Sequence, residues 1–183
     1  NALTVNFLQS GATSALVATS GGAGTDNITF NASAAGPVTV TGGLGTPNGL
    51  INAGAGDINF NGGIGNGAVS VSINNTIGCV EGTGSSFSVT TIANDANLMA
   101  GNISATTGIS LNALGQSADF TTCNGPISTT NGNVSINAGA VGFDNSVVTI
   151  DHNLNSDNGD VNITSFGLLG SSVSFSNASV NAG

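Results

Sequence analysis

The one local cluster of titratable side chains is Asp151-His152 with Asp157 and Asp160 a few residues on. His152 is the sole histidine. A Ser-His-Asp hydrolase would have to use it, because an imidazole must take the serine proton and a carboxylate must orient the imidazole. No G-x-S-x-G elbow is present to expose a serine on a strained strand-to-helix turn. Two neighbouring carboxylates, Asp157 and Asp160, suit glycoside hydrolysis instead, one as acid and the other as base or nucleophile. Polyuronate substrates are anionic, however, and a chain with Lys plus Arg of 0 has nothing to hold them. Neutral glycans are left, without the Trp and Tyr that usually stack on sugar rings. The favoured expectation for this cluster is a polar turn between strands at 148–150 and 161–163, in a non-catalytic protein with no cofactor.

Gly21-Gly22-Ala23-Gly24-Thr25-Asp26-Asn27-Ile28-Thr29 matches the calcium nonapeptide G-G-x-G-x-D-x-U-x. That architecture holds calcium between successive copies, and one copy stands here. Asp26 is therefore a weak calcium candidate, and the segment reads as a Gly-rich turn before a strand. Cys79 and Cys123 are the only cysteines, and neither lies in a CxxC. One disulfide and two buried thiols are both open.

The composition narrows the classes further. The 183 residues weigh 17.5 kDa, enough for one domain with a core. Net charge is −9 with no cation, so phosphate neutralisation and nucleic-acid binding are excluded. Anionic membranes repel such a chain, and no apolar run is long enough for a spanning helix, so no membrane insertion is expected. Hydrophobic content of 39% and mean hydropathy of +0.27 are too apolar for a disordered acidic chain. The start, Asn1-Ala2-Leu3-Thr4, lacks Met and a basic n-region, and reads as a mature product or a piece of a longer parent chain.

The elements that must position these residues are strands. Gly, Asn, Ser, Thr and Val dominate, all poor helix formers, and only Leu3 to Leu8 and Ala96 to Ala100 tolerate a helical turn. Short in-out-in segments recur, as in Ile28-Thr29-Phe30, Val38-Thr39-Val40, Ile58-Asn59-Phe60, Val69 to Ile73 and Phe87-Ser88-Val89. They return at Ile109, Val134, Val148, Val161 and Val173. Period two puts the β-branched and Phe residues on one face. Gly and Asn clusters between them, such as Gly54-Ala55-Gly56 and Asn158-Gly159, read as turns. Short strands in a quasi-regular internal repeat predict an all-β parallel β-helix, a β-solenoid of about eight rungs at roughly 20–25 residues each. One solenoid domain would span 1–183, with 1–25 a capping or inter-subunit segment. The alternative is a β-sandwich pilin-like subunit that donates a strand. Phe occurs at 7, 30, 60, 87, 120, 143, 166 and 175, and the repeated spacing of 23 suggests either a stacked ladder or chance.

The phrase Gly132-Asn133-Val134-Ser135-Ile136-Asn137 returns as Gly56-Asp57-Ile58-Asn59-Phe60-Asn61 and Gly159-Asp160-Val161-Asn162-Ile163-Thr164. It resembles the repeats of filamentous-haemagglutinin-type adhesins and autotransporter passenger domains. Thr46-Pro47-Asn48-Gly49-Leu50 also resembles the Asn-Pro-Asn-Gly-Ile element of the two-partner secretion domain. The resemblance implies an exported right-handed parallel β-helix at a cell surface, with adhesive or fibrous function and no catalytic residues.

Sequons stand at Asn27, Asn31, Asn74, Asn102, Asn133, Asn162 and Asn177, which are possible glycosylation sites in a secreted chain. Neither end looks capped. Leu3, Val5, Phe7 and Leu8 at one end, and Val173 and Phe175 at the other, are expected to meet further copies of the chain or the rest of a longer parent chain. The expected function is an extracellular structural protein, a β-solenoid fibre subunit or adhesin shaft assembling end to end. A surface module for neutral glycans, or for ice through flat Thr/Asn rows, is the alternative, and a β-helical glycosidase ranks below both.

Overall fold

The computed structural model describes residues 3–7, 28–32, 38–41, 50–62, 67–73, 75–141, 145–168 and 170–183. Fifteen strands follow in order. They are β1 Leu3–Phe7, β2 Ile28–Ala32, β3 Val38–Thr41, β4 Leu50–Asn61 and β5 Val69–Ile73. Then come β6 Asn75–Thr91, β7 Leu98–Ala113, β8 Phe120–Thr122, β9 Ile127–Thr129 and β10 Val134–Ala138. The last five are β11 Val147–Ile150, β12 Leu154–Ser156, β13 Val161–Ser165, β14 Ser172–Phe175 and β15 Val180–Ala182. Every pairing among them is parallel and joins one turn of the chain to the next. The fold is all-β, with no helix among the described residues, coiled as a parallel β-solenoid. The sandwich alternative is thereby set aside, since a sandwich is built of antiparallel strands.

Three ladders run along the coil. One stacks Phe60, Gly82, Ile103, Ile127, Leu154 and Val180, about five turns. Phe30 and then Val5 extend the same ladder at the other end. A second stacks Val40, Val71, Val89, Leu111, Ile136 and Ile163. A third stacks Leu98, Phe120, Val148 and Val173. Along the second ladder the turn varies, from 31 residues (Val40 to Val71) and 18 (Val71 to Val89) to 22 (Val89 to Leu111), 25 (Leu111 to Ile136) and 27 (Ile136 to Ile163). The extra residues fall in the corners, so the apolar residues keep their register.

Period-two alternation is what closes the core. Val69, Val71 and Ile73 are buried while Ser70 and Ser72 are exposed. Phe60, Leu111, Ile136, Ile150 and Leu154 are 0% exposed. Burying such a side chain fully is worth about 1.5–3 kcal/mol. Phe30 and Phe60 stack, ring centroids 4.9 Å apart and planes within 14°. The spacing of 23 does not make a wider ladder. Phe120 is in register with Leu98 and Val148, Phe87 with Val69 and Ile109, and Phe7 with Ala32. Phe166 is half-buried after β13, and Phe143 lies outside the described residues.

Outward positions form polar ladders. Asn137 Nδ2 donates to Asn112 Oδ1 at 2.7 Å, and Asn112 Nδ2 donates to Thr90 Oγ1 at 3.2 Å. Amides stacked on copies of themselves satisfy one another without charge. A few inward positions are polar. Thr91 is 0% exposed between Ile73 and Ala113, and its Oγ1 has no partner. A buried hydroxyl without a hydrogen bond costs about 1–3 kcal/mol. Thr91→Val is therefore expected to raise stability by about 1 kcal/mol, read as a higher urea midpoint by circular dichroism. A lower midpoint would show that the hydroxyl has a partner after all.

Several expectations are corrected. Leu3–Phe7 and Leu98–Ala100 are strand, not helical turn, because neighbouring turns satisfy their backbone groups laterally. Gly54-Ala55-Gly56 is inside β4 rather than a turn, and the register irregularity between Asn52 and Asp57 absorbs it. β12 interrupts the stretch expected to be one turn between 148–150 and 161–163. The alternating segments also belong to longer strands, β6 and β7, which continue through bulges at Val80/Gly82 and Gly84/Ser86.

Candidate functional site

The best-defined concavity lies where β4, β6 and β7 turn a corner. It encloses about 560 Å3, between Asp57, Ile77, Asp95, Asn97, Met99 and Asn124 among others. Register places Asp57 opposite Cys79 and Asn59 opposite Glu81. The irregularities at Asn52/Asp57 and Val80/Gly82 bring the two acidic side chains together at this corner, as bulges do when they re-aim a residue. The carboxylates of Asp57 and Glu81 and the sulfur of Cys79 all lie within 4.8 Å of one another.

That trio is not a thiolate metal site. Cys79 and Cys123 are joined in a disulfide with Cα atoms 6.1 Å apart, and both are nearly buried. Of the two arrangements open from the sequence, the structure takes the disulfide. The bridge links turns that are not neighbours, since Met99 lies between Cys79 and Thr121 in the ladder. The intervening turn passes it at Gly101, where a side chain would collide with the Cys123 carbonyl oxygen. Immediately beyond, Asn124 Nδ2 donates to Asp57 Oδ1 at 2.8 Å and to Glu81 Oε1 at 2.9 Å. Asn102 Nδ2 reaches the same Glu81 oxygen at 3.4 Å. Both asparagines have positive φ, 59° and 49°, which Asn adopts more readily than most residues. The amides thus stand where cations would in a chain that has none. Two carboxylates with their amide neighbours fall short of the six to eight oxygens of a calcium site. The sequence named the two cysteines but missed Asp57, Glu81 and Asn124. They are 67 and 43 residues from Asn124, with no motif in common.

The other expected residues are dispersed. Asp151 and His152 follow β11, and both backbone N–H groups donate to Thr122 Oγ1, at 2.7 and 3.2 Å. Asp157 and Asp160 are exposed in the next corner, where the Asp157 N–H donates to the Thr129 carbonyl and the Asp160 N–H to Asn133 Oδ1. These contacts are those of polar turns. Asp26, Asn27, Asn74 and Leu8 lie outside the described residues, as does most of Gly21–Thr29 and Thr46–Leu50. Asn102, Asn133, Asn162 and Asn177 are exposed, Asn133 and Asn102 with side chains already hydrogen-bonded. Asn31 stands in β2, in register with Asn6 and Asn61.

At the last turn, inward-facing residues are open to solvent. Val173, Phe175 and Val180 are 39%, 53% and 41% exposed. Their partners one turn back, Val148, Ile150 and Leu154, are all 0% exposed. Among the described residues, β1 pairs only with β2. Among the described residues, β14 and β15 each pair on one side only, with β11 and β12.

These features define a class, the parallel β-solenoid. Comparison of the chain with family models, with curated proteins and with solved structures gives no match.

Proposed function

We propose that the protein is an extracellular, non-catalytic structural element, a β-solenoid shaft whose units stack end to end. One observation carries the reading. The last turn repeats the core pattern of the turn before it, yet leaves Val173, Phe175 and Val180 uncovered. A further turn in the same register, from a second copy or from a longer parent chain, would bury them as Val148, Ile150 and Leu154 are buried. The disulfide supports an oxidising, exported setting. The Gly-Asn/Asp-Val/Ile-x-Ile/Phe-Asn phrases resemble those of exported surface adhesins, which agrees with a shaft. The absence of Lys and Arg leaves trypsin no cleavage site, which suits an exposed fibre.

Sedimentation velocity over a hundredfold concentration range, with electron microscopy of the same samples, tests this. Rods whose length grows with concentration are expected. A monomer of 17.5 kDa at every concentration would refute end-to-end stacking.

A second reading has its own observation. The corner cavity of about 560 Å3 joins amides and carboxylates to the exposed apolar side chains of Ile77 and Met99. That mixture suits the hydroxyls and C–H faces of a neutral sugar. A glycan array without hits would remove it.

A further inference from the structure

We infer that the corner cavity takes a lysine side chain of another protein, with its ammonium against Asp57 and Glu81 and its methylene stem along Ile77 and Met99. The inference holds whether or not units stack, and it gives the cavity a ligand other than a sugar.

The cavity is a gap between two turns of the coil. On one lip, Asn75, Thr76 and Ile77 pair with Leu50, Ile51 and Asn52 of the turn before. Their strand meets the turn after it only from Cys79, opposite Met99. On the other lip the chain bonds forward instead. The Asp95 N–H donates to the Gln116 carbonyl at 2.8 Å, and the Leu98 N–H to the Asp119 carbonyl at 2.9 Å. Asn97 Oδ1 accepts the Asp119 N–H at 3.1 Å. Each lip is thus held by the turn behind it, and the opening of about 560 Å3 between them is built into the fold.

The walls are rich in acceptors. Asp57 and Asp95 line the cavity, and the carboxylates of Asp57 and Glu81 lie within 4.8 Å of each other. Thr76 lines it too, 4% exposed, and its Oγ1 has no partner. Asn75 Oδ1, on the same lip, has none either. Buried polar atoms are nearly always hydrogen-bonded, so two orphans beside one cavity point to a donor that comes from outside. Asn124 and Asn102 donate to the carboxylates, but an amide brings no positive charge to offset them.

A lysine supplies what is missing. Its ammonium is a compact point charge with three donors, enough to meet two separate carboxylates and an oxygen of the Thr76 lip. A guanidinium is a planar fork that matches one carboxylate at a time. Ile77 and Met99, 42% and 41% exposed, offer the apolar surface on which a lysine stem lies while its head stays among polar atoms. No copy of these 183 residues carries Lys or Arg, so the cation belongs to a different protein. A net charge of −9 draws such a basic partner in.

Met99 is the only methionine, so one methyl resonance reports on the cavity wall. The full chain, labelled with carbon-13 at that methyl and with its disulfide intact, is titrated in dilute solution at low salt with Nα-acetyl-lysine methylamide. Expected is a saturable shift that fades as salt rises. The norleucine counterpart, which keeps the stem and lacks the ammonium, should give none. Asp57→Asn and Glu81→Gln should each weaken binding about tenfold, the loss of one charge-assisted hydrogen bond, with an unchanged circular dichroism spectrum. No saturable shift with the lysine probe, or an equal shift with norleucine, would overturn the inference. A shift with calcium chloride but not with the lysine probe would overturn it in favour of a metal site. A shift with maltose alone would overturn it and leave the sugar reading in its place.

Discussion

Gly82→Ala is expected to cost about 3 kcal/mol or more, the combined scale of a strained φ and an overpacked core. Gly82 sits in the principal ladder between Phe60 and Ile103, with φ of +148°. A Cβ there would run into the Phe60 carbonyl oxygen and come within 3.0 Å of a Phe87 ring carbon. Neither neighbour has room to yield, since Phe60 and Phe87 are 0% and 1% exposed. Gly108→Ala is the informative comparison. Its φ is +154°, but the nearest atom to a new Cβ is 3.5 Å away, so only the backbone term remains, about 1–2 kcal/mol. Urea unfolding followed by far-ultraviolet circular dichroism measures both, because a chain without Trp or Tyr offers little fluorescence. Equal losses at the two glycines would mean that the close approach of Phe60 does not matter.

Replacing both half-cystines with serine is expected to destabilise the coil by about 4 kcal/mol on the loop-entropy account of a cross-link. The bridge closes a loop of sequence separation 44 and ties together turns that share no direct ladder bond. In a solenoid each turn otherwise holds only its neighbours, so damage stays local. Loss of the bridge should therefore free backbone amides between 79 and 123 to exchange faster, while those of β10 and β12 change little. The corner cavity should loosen as well, because Asn124 follows Cys123 directly and holds Asp57 and Glu81. A urea midpoint unchanged by the Cys79→Ser and Cys123→Ser pair, or by reductant, would show that the bridge does not support the fold.

Much of the architecture was legible because it is local. Segments such as Val69-Ser70-Val71-Ser72-Ile73 and Val134-Ser135-Ile136 alternate strictly, and these two formed strands with their apolar residues buried. Their shortness and their return along the chain pointed to stacked turns rather than a sandwich. What stayed hidden were strands without that alternation. Asn75-Thr76-Ile77-Gly78-Cys79-Val80 and Leu98-Met99-Ala100 carry glycine, small residues or Met, and they are strands because the turns on either side pair with them. Propensity does not record a bond made to a neighbour some 20 residues away.

The sequence by itself determined the kind of surface and the kind of core, since period two and composition act within a few residues. It also excluded binding that needs a cation on the protein. Only the tertiary structure decided which residues share a corner. Asp57, Glu81 and Asn124 meet through bulges and turn lengths that vary from 18 to 31 residues, so no fixed spacing foretells them. The state of Cys79 and Cys123 was decided in the same way. Two cysteines 44 residues apart become partners only when the coil brings their Cα atoms to 6.1 Å and a glycine stands in the turn between.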